Sequence, residues 1–142
     1  LDRKKIPDSY KLSINKLLRC SLDMIENESH YPDAMIYVNY DYQHKPVGVY
    51  DEIITLAQTN GFETVFPGLV DYGHYWYQDE DDKYNQTDSS LKSRDKRDPV
   101  FKALYGQGCF SLATVIRKGK ILGEKVGILK IQNQKYAKRI KV

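Results

Sequence analysis

The stretch from Ala34 to Phe66 constrains the fold more than any other part of the chain. Ala34-Met35-Ile36-Tyr37-Val38-Asn39 is short, apolar and β-prone, the pattern of a buried strand. A polar and aromatic loop follows, Tyr40-Asp41-Tyr42-Gln43-His44-Lys45-Pro46. Pro46 suits the first turn of a helix, where its missing N–H is no loss. Val47, Tyr50, Ile53, Ile54 and Ala57 then recur at helical spacing, which predicts a helix over Val47–Asn60. Asn60-Gly61 stops it, because glycine takes the left-handed conformation after a helix cheaply. Phe62-Glu63-Thr64-Val65-Phe66 reads as the next strand. Strand, helix and strand occupy about 33 residues, the size of one βαβ unit. Such a crossover is right-handed, and its strands run parallel. Ligands of open α/β sheets sit at the carboxyl ends of the strands, which marks the loops Asn39–Lys45 and Pro67–Tyr72.

The flanks are less regular. Ile14, Leu17, Leu18, Ser21, Leu22 and Ile25 form a helical stripe within Asp8–Asn27, with Asp8 or Ser9 placed to cap it. Gly73–Gln78 is aromatic and strand-like. Asp79–Ser93 is polar, an exposed loop or hairpin excursion. Glycines in Tyr105-Gly106-Gln107-Gly108 mark a sharp turn or a close backbone approach. Leu112–Arg117 reads as a short helix and Lys125–Ile131 as a late strand. No internal repeat is present.

The chain of 142 residues fits one domain and one core. Apolar residues make up 41% and charged residues 29%, as in globular proteins. No apolar run approaches the roughly 20 residues that span a membrane. With no signal-peptide core after Leu1–Lys5, the expectation is a cytoplasmic protein without a membrane partner. Cys20 and Cys109 are far apart among apolar neighbours and read as buried thiols. The net charge is +3, but Arg117–Val142 holds nine Lys and Arg against one acid, Glu124, while Asp79-Glu80-Asp81-Asp82 is an acidic cluster. A basic end suits any phosphate or anionic sugar, and equally a solvated surface. No nucleic-acid-binding motif accompanies it, so a nucleic-acid partner ranks last.

No P-loop, dinucleotide fingerprint, zinc spacing or nucleophile elbow occurs. His30, His44 and His74 are scattered, and no metal site is expected from them. Asn39 offers an amide donor and acceptor, and Lys45 a mobile positive charge. Polar loop residues commonly serve turns, and on residue chemistry alone that is the plainer account of the pair. Arg94 and Arg97 have the fork geometry that grips a carboxylate; they also have Asp95 and Asp98 as exposed ion-pair partners.

Order and spacing of these stretches resemble the acylneuraminate cytidylyltransferases, or CMP-sialic acid synthetases. Their central motif is a strand, then Gln-Pro-Thr-Ser-Pro-Leu-Arg, then a helix. Asn39 falls on the glutamine and Lys45 on the arginine, and the match runs without a gap through Glu63–Gly68. Their later Arg-Gln and Asn-Gly correspond to Arg97-Asp98 and Gln107-Gly108. Ser93-Arg94-Asp95-Lys96-Arg97, Tyr105-Gly106-Gln107-Gly108-Cys109 and Gly119–Ile128 look like a divergent branch.

The resemblance implies a Rossmann-like nucleotide-diphospho-sugar transferase fold of the α/β class. That fold has three layers, α/β/α, and a mostly parallel mixed sheet, here incomplete at the N-terminus. It implies transfer of CMP from CTP to an acidic, sialic acid-like sugar with release of pyrophosphate. Asn39, Lys45, Arg94, Arg97 and Gln107 would bind substrate, and the full-length protein would be a homodimer. Mg²⁺ would be the cofactor, but neither the family's CTP-cradling loop nor its metal-binding Asp-Ile-Asp is found in this chain. These residues alone are therefore expected not to turn over CTP, as a fragment or an inactive relative. A non-catalytic module that binds a sugar nucleotide or a partner is the alternative.

Overall fold

A computed structural model describes residues 13–87 and 98–140. The first helix, α1, spans Ile14–Asn27, and Ser13 caps it by accepting the Lys16 N–H. Asp8 and Ser9, the caps expected from sequence, lie outside the described residues. Strand β1 is Ala34–Tyr37 and helix α2 is Val49–Asn60. The helix starts two residues later than its periodicity predicts. Val47 is almost fully exposed, and Gly48 in the left-handed region turns the chain into the first helical residue. At the other end Gly61 has φ +66° and donates to the Ala57 carbonyl, so the Asn60-Gly61 stop works as the sequence suggests.

Strand β2 is Thr64–Asp71. The aromatic segment after it forms a separate two-stranded hairpin, β3 (Trp76–Gln78) and β4 (Tyr84–Gln86). Then come β5 (Val100–Ala103), a 3₁₀ turn at Tyr105–Gln107, β6 (Cys109–Leu112), α3 (Ala113–Arg117) and β7 (Val126–Ile131). A last 3₁₀ turn covers Gln134–Ala137.

The main sheet is mixed. β1 and β2 are each antiparallel to β6, so they run in the same direction one strand apart. They are the parallel pair of the predicted crossover, with β6 inserted between them. The expectation of a mostly parallel sheet does not describe the pairing. Among the described residues, three of its four ladders are antiparallel, and only β2–β7 is parallel. The cause is the return of the chain after β2. β7 occupies one edge of β2 from Thr64 to Leu69, so β6 at Thr64–Val65 and β5 at Gly68–Asp71 must share the other edge. β5 and β6 are thus one antiparallel line with an interruption. Six residues, 104–109, lie between Ala103 and Phe110 where β2 has only Phe66 and Pro67, and the surplus bulges out as the turn at Tyr105–Gln107.

Helices cover both faces. Ala34 and Ile36 of β1 pack with Val49, Ile53 and Ala57 of α2 over Val65 and Phe110. Met35 and Tyr37, on the opposite face by strand alternation, pack with Leu18 and Leu22 of α1 and with Ala113 and Ile116 of α3. A third cluster, Tyr42, Leu69, Leu104 and Ile131 with Tyr136 and Ala137, closes the carboxyl ends of β2 and β7. Among the described residues no helix is long and apolar enough to cross a membrane.

Candidate functional site

The loop that follows β1 meets the bulged turn between β5 and β6. Asn39 lies just past the end of β1, and its N–H donates to the Gly106 carbonyl at 2.8 Å. Its side-chain oxygen accepts the Asp41 N–H at 3.2 Å, which shapes the loop as an Asx turn. The amide nitrogen of Asn39 has no partner among the described residues, so it remains a donor at the carboxyl end of the sheet. Gly106 is glycine for a steric reason. A Cβ there would lie 2.7 Å from Tyr42 Cε2 and 2.8 Å from Asn39 Cβ.

Gln107, the next residue, has no exposed surface. Its Nε2 donates to two carbonyls, His44 at 2.7 Å and Tyr136 at 2.7 Å. The other side-chain atom, Oε1, is buried without a partner. Consecutive residues of the turn therefore hold both ends of the loop, Gly106 at Asn39 and Gln107 at His44. With both amide protons spent on the protein, Gln107 acts here by positioning the loop.

Lys45 ends the loop. Its Nζ donates to the Tyr50 hydroxyl at 2.9 Å and lies 4.7 Å from the Tyr40 ring centroid and 5.6 Å from that of Tyr50. The two rings hold the ammonium by its cation–π attraction, and two of its three protons stay available. Tyr40 is 80% exposed and Lys45 is half-buried, so the cation sits beside an open aromatic surface.

The C-terminal segment clasps the same loop from outside. Gln43 N–H donates to Lys138 O (2.9 Å), and Ile140 N–H donates to Asp41 O (2.6 Å). Arg139 Nη1 pairs with Asp41 Oδ2 at 2.6 Å, and Nη2 donates to the Tyr42 hydroxyl at 3.0 Å with the guanidinium over that ring. Asp41 and Arg139 carry no local mark in the sequence, because each has its partner 98 positions away, whereas Tyr40 and Tyr50 lie within five positions of Lys45 but read as a loop aromatic and a helix-stripe aromatic.

Of the residues expected from sequence, Asn39, Lys45 and Gln107 come together here. Arg94 and Arg97 lie outside the described residues. Cys109, at the exit of the turn, is buried, and that burial pushes its thiol up to about 11 against a smaller opposing effect of the Ser111 hydrogen bond. It is a neutral wall at physiological pH and no nucleophile. Among the described residues no three His, Cys, Asp or Glu side chains gather. Asp41, the one carboxylate of the loop, pairs with Arg139 through Oδ2, and its Oδ1 is buried without a partner. A single carboxylate oxygen held beside a guanidinium does not fit a Mg²⁺ site, which takes about six oxygen ligands in octahedral array and is disfavoured by an adjacent positive charge.

Compared with known proteins, the chain matches no family model and no curated relative.

Proposed function

We propose that this chain is the sugar-binding part of a Rossmann-like cytidylyltransferase domain, holding an acidic sugar for transfer of CMP from CTP in the cytoplasm. One observation supports this above others. The two stretches that carry the sequence resemblance, 39–45 and 105–109, are 60 and more positions apart and are joined by hydrogen bonds through Gly106 and Gln107. In such a domain Asn39 Nδ2 donates to a sugar oxygen, and Lys45 meets the carboxylate or a phosphate. Arg97, with Arg94 second, is the further carboxylate contact that the resemblance implies. The reaction is attack of a sugar hydroxyl on the α-phosphate of CTP. The new bond is P–O to the sugar, the bond broken is P–O to pyrophosphate, and the hydroxyl proton leaves to solvent. Positioning and charge stabilisation dominate such transfers, and a pre-shaped loop supplies positioning. A second copy of the chain is the expected partner.

Titration calorimetry with N-acetylneuraminate and other acidic sugars, with and without CMP, tests this proposal. Lys45→Met should weaken binding by about 1–2 kcal/mol, the scale of one charge-assisted contact at a partly open site. Unchanged affinity in Lys45→Met and Asn39→Ala would leave the loop without a ligand role. A non-catalytic module that binds a sugar nucleotide or a partner is the second reading, and Gln107, whose amide protons are both spent on the protein, suits a binding loop as well as a reacting one.

A further inference from the structure

One cavity is not used by the proposed sugar site. It holds about 330 Å³, at the small end of the ~300–1,000 Å³ typical of ligand pockets. Tyr37 and Cys109, directly opposite each other in the β1–β6 ladder, line its strand side. Ile14 and Asn15 come from the first turn of α1, Tyr105 from the bulged turn, and Lys120, Ile121 and Leu122 from the loop between α3 and β7. Ile14, Tyr105 and Leu122 remain 42–46% exposed, so large apolar side chains are left in water at this cavity.

Four polar groups belong to the same cavity: the hydroxyls of Tyr37 and Tyr105, the amide of Asn15 and the ammonium of Lys120. None of them has a hydrogen-bond partner among the described residues. Among the described residues Lys120 is the one charged side chain that lines this cavity, and the carboxylates of Glu63 and Glu124 line a neighbouring pocket. Apolar walls with a few unspent polar groups and one cation describe a ligand: an apolar body with a single anionic head. We propose that this cavity is a second ligand site, taking a small amphipathic anion, an aromatic or branched aliphatic group bearing one carboxylate or phosphate.

An acidic sugar is a poor occupant. Its many hydroxyls would face apolar walls without partners, and burying each unpaired is costly. The apolar body instead displaces water from Ile14, Ile121 and Leu122, and the head meets Lys120. Cys109, kept protonated by its burial, adds no competing negative charge. The site does not depend on the sugar-transfer reading, because it shares none of Asn39, Lys45 or Gln107.

An NMR titration of the isotope-labelled chain with benzoate, and with benzyl alcohol as the neutral probe of similar size, tests the proposal. Both should give saturable shifts at Tyr37, Cys109 and Leu122, with benzoate the tighter. Lys120→Met should weaken benzoate by about fivefold, the effect of one rim charge, and leave benzyl alcohol unchanged. Leu122→Glu, on the exposed rim where folding tolerates it, should abolish benzoate binding by like-charge repulsion. Shifts that do not saturate, or equal weakening of both probes by Lys120→Met, would overturn the proposal. So would self-association that covers Ile14 and Leu122, which would assign the cavity to a second copy of the chain.

Discussion

The loop Tyr40–Lys45 and the segment His74–Asp79 are made of nearly the same residues, Tyr-Asp-Tyr-Gln-His-Lys and His-Tyr-Trp-Tyr-Gln-Asp. They end in opposite situations. Tyr42 is buried at 6% exposure, and the loop around it is tied to partners 63 to 98 positions away. Trp76, Tyr77 and Tyr84 in the hairpin are 55–71% exposed, and the bonds that shape its tip are local. Asp79 accepts from the N–H groups of Asp81 and Lys83 and from the Asn85 amide. The Asn85 bond first, then the backbone bonds, hold the Asp79 carboxyl below its ordinary value. At the base the Tyr75 hydroxyl donates to Asp71, which with a little burial and the Asp71 charge raises the phenol. Composition does not decide between these fates. The loop became part of the core because a buried glutamine and a C-terminal clasp reach it from far along the chain.

Removing one ring from each region should affect stability very differently. Tyr42→Ala should cost about 3–4 kcal/mol of stability by urea unfolding, the scale of a large buried aromatic. Trp76→Ala should cost less than about 0.5 kcal/mol, as exposed substitutions do. Similar costs for the two would show that the loop is not packed as described.

Gln107→Met keeps the bulk and removes both bonds to the His44 and Tyr136 carbonyls. It should cost about 2 kcal/mol, since two acceptors lose their donor while one orphaned oxygen is relieved. Amide exchange should accelerate at Asn39–Lys45 and stay unchanged in the hairpin. Uniform acceleration would mean that Gln107 supports the whole sheet and has no special hold on the loop.

Cys109 gives a pH test of the same buried turn. Its folded value is about 11 against an ordinary 9.0, so folding favours the protonated thiol. Below pH 9 both states keep the proton, and the contribution is fully present. Between pH 9 and 11 the unfolded chain loses the proton first, so stability falls as pH rises. The fall should be on the order of 2 kcal/mol in the native chain and absent from Cys109→Ala when the two are compared pH by pH. Parallel profiles would place the thiol in contact with water.

Among the contacts that tie the loop, the smallest effect belongs to the Asp41–Arg139 pair, whose side chains are 34% and 56% exposed. Arg139→Met should cost less than about 1 kcal/mol, and added salt should shrink the difference from the native chain.

Legibility in the sequence follows the range of the contacts. The stripe in α1, the β1–α2–β2 crossover, the Asn60-Gly61 stop, the short α3 and the β7 run are written in local periodicity and turn chemistry. Asn39 and Lys45 could be placed at a strand's carboxyl end for the same reason. The insertion of β6 between β1 and β2 could not, because strand order has no local signature. Gln107 illustrates the limit most clearly. In sequence it is a polar residue between two glycines, indistinguishable from a surface contact. Its burial follows from a four-residue bulge that only the register of β5 and β6 on β2 creates. The Arg139 clasp likewise has no local signature within the basic end of the chain, because its acid lies 98 positions earlier.

A chemical-shift titration of the native chain with N-acetylneuraminate separates the two regions in one measurement. Saturable shifts are expected at the Asn39 side-chain amide and at the Tyr40, Lys45 and Tyr50 amides, with the hairpin amides Trp76–Gln86 unmoved. Shifts confined to the hairpin, or none at the loop at concentrations that saturate an acidic-sugar binder, would contradict a ligand role for the tied loop.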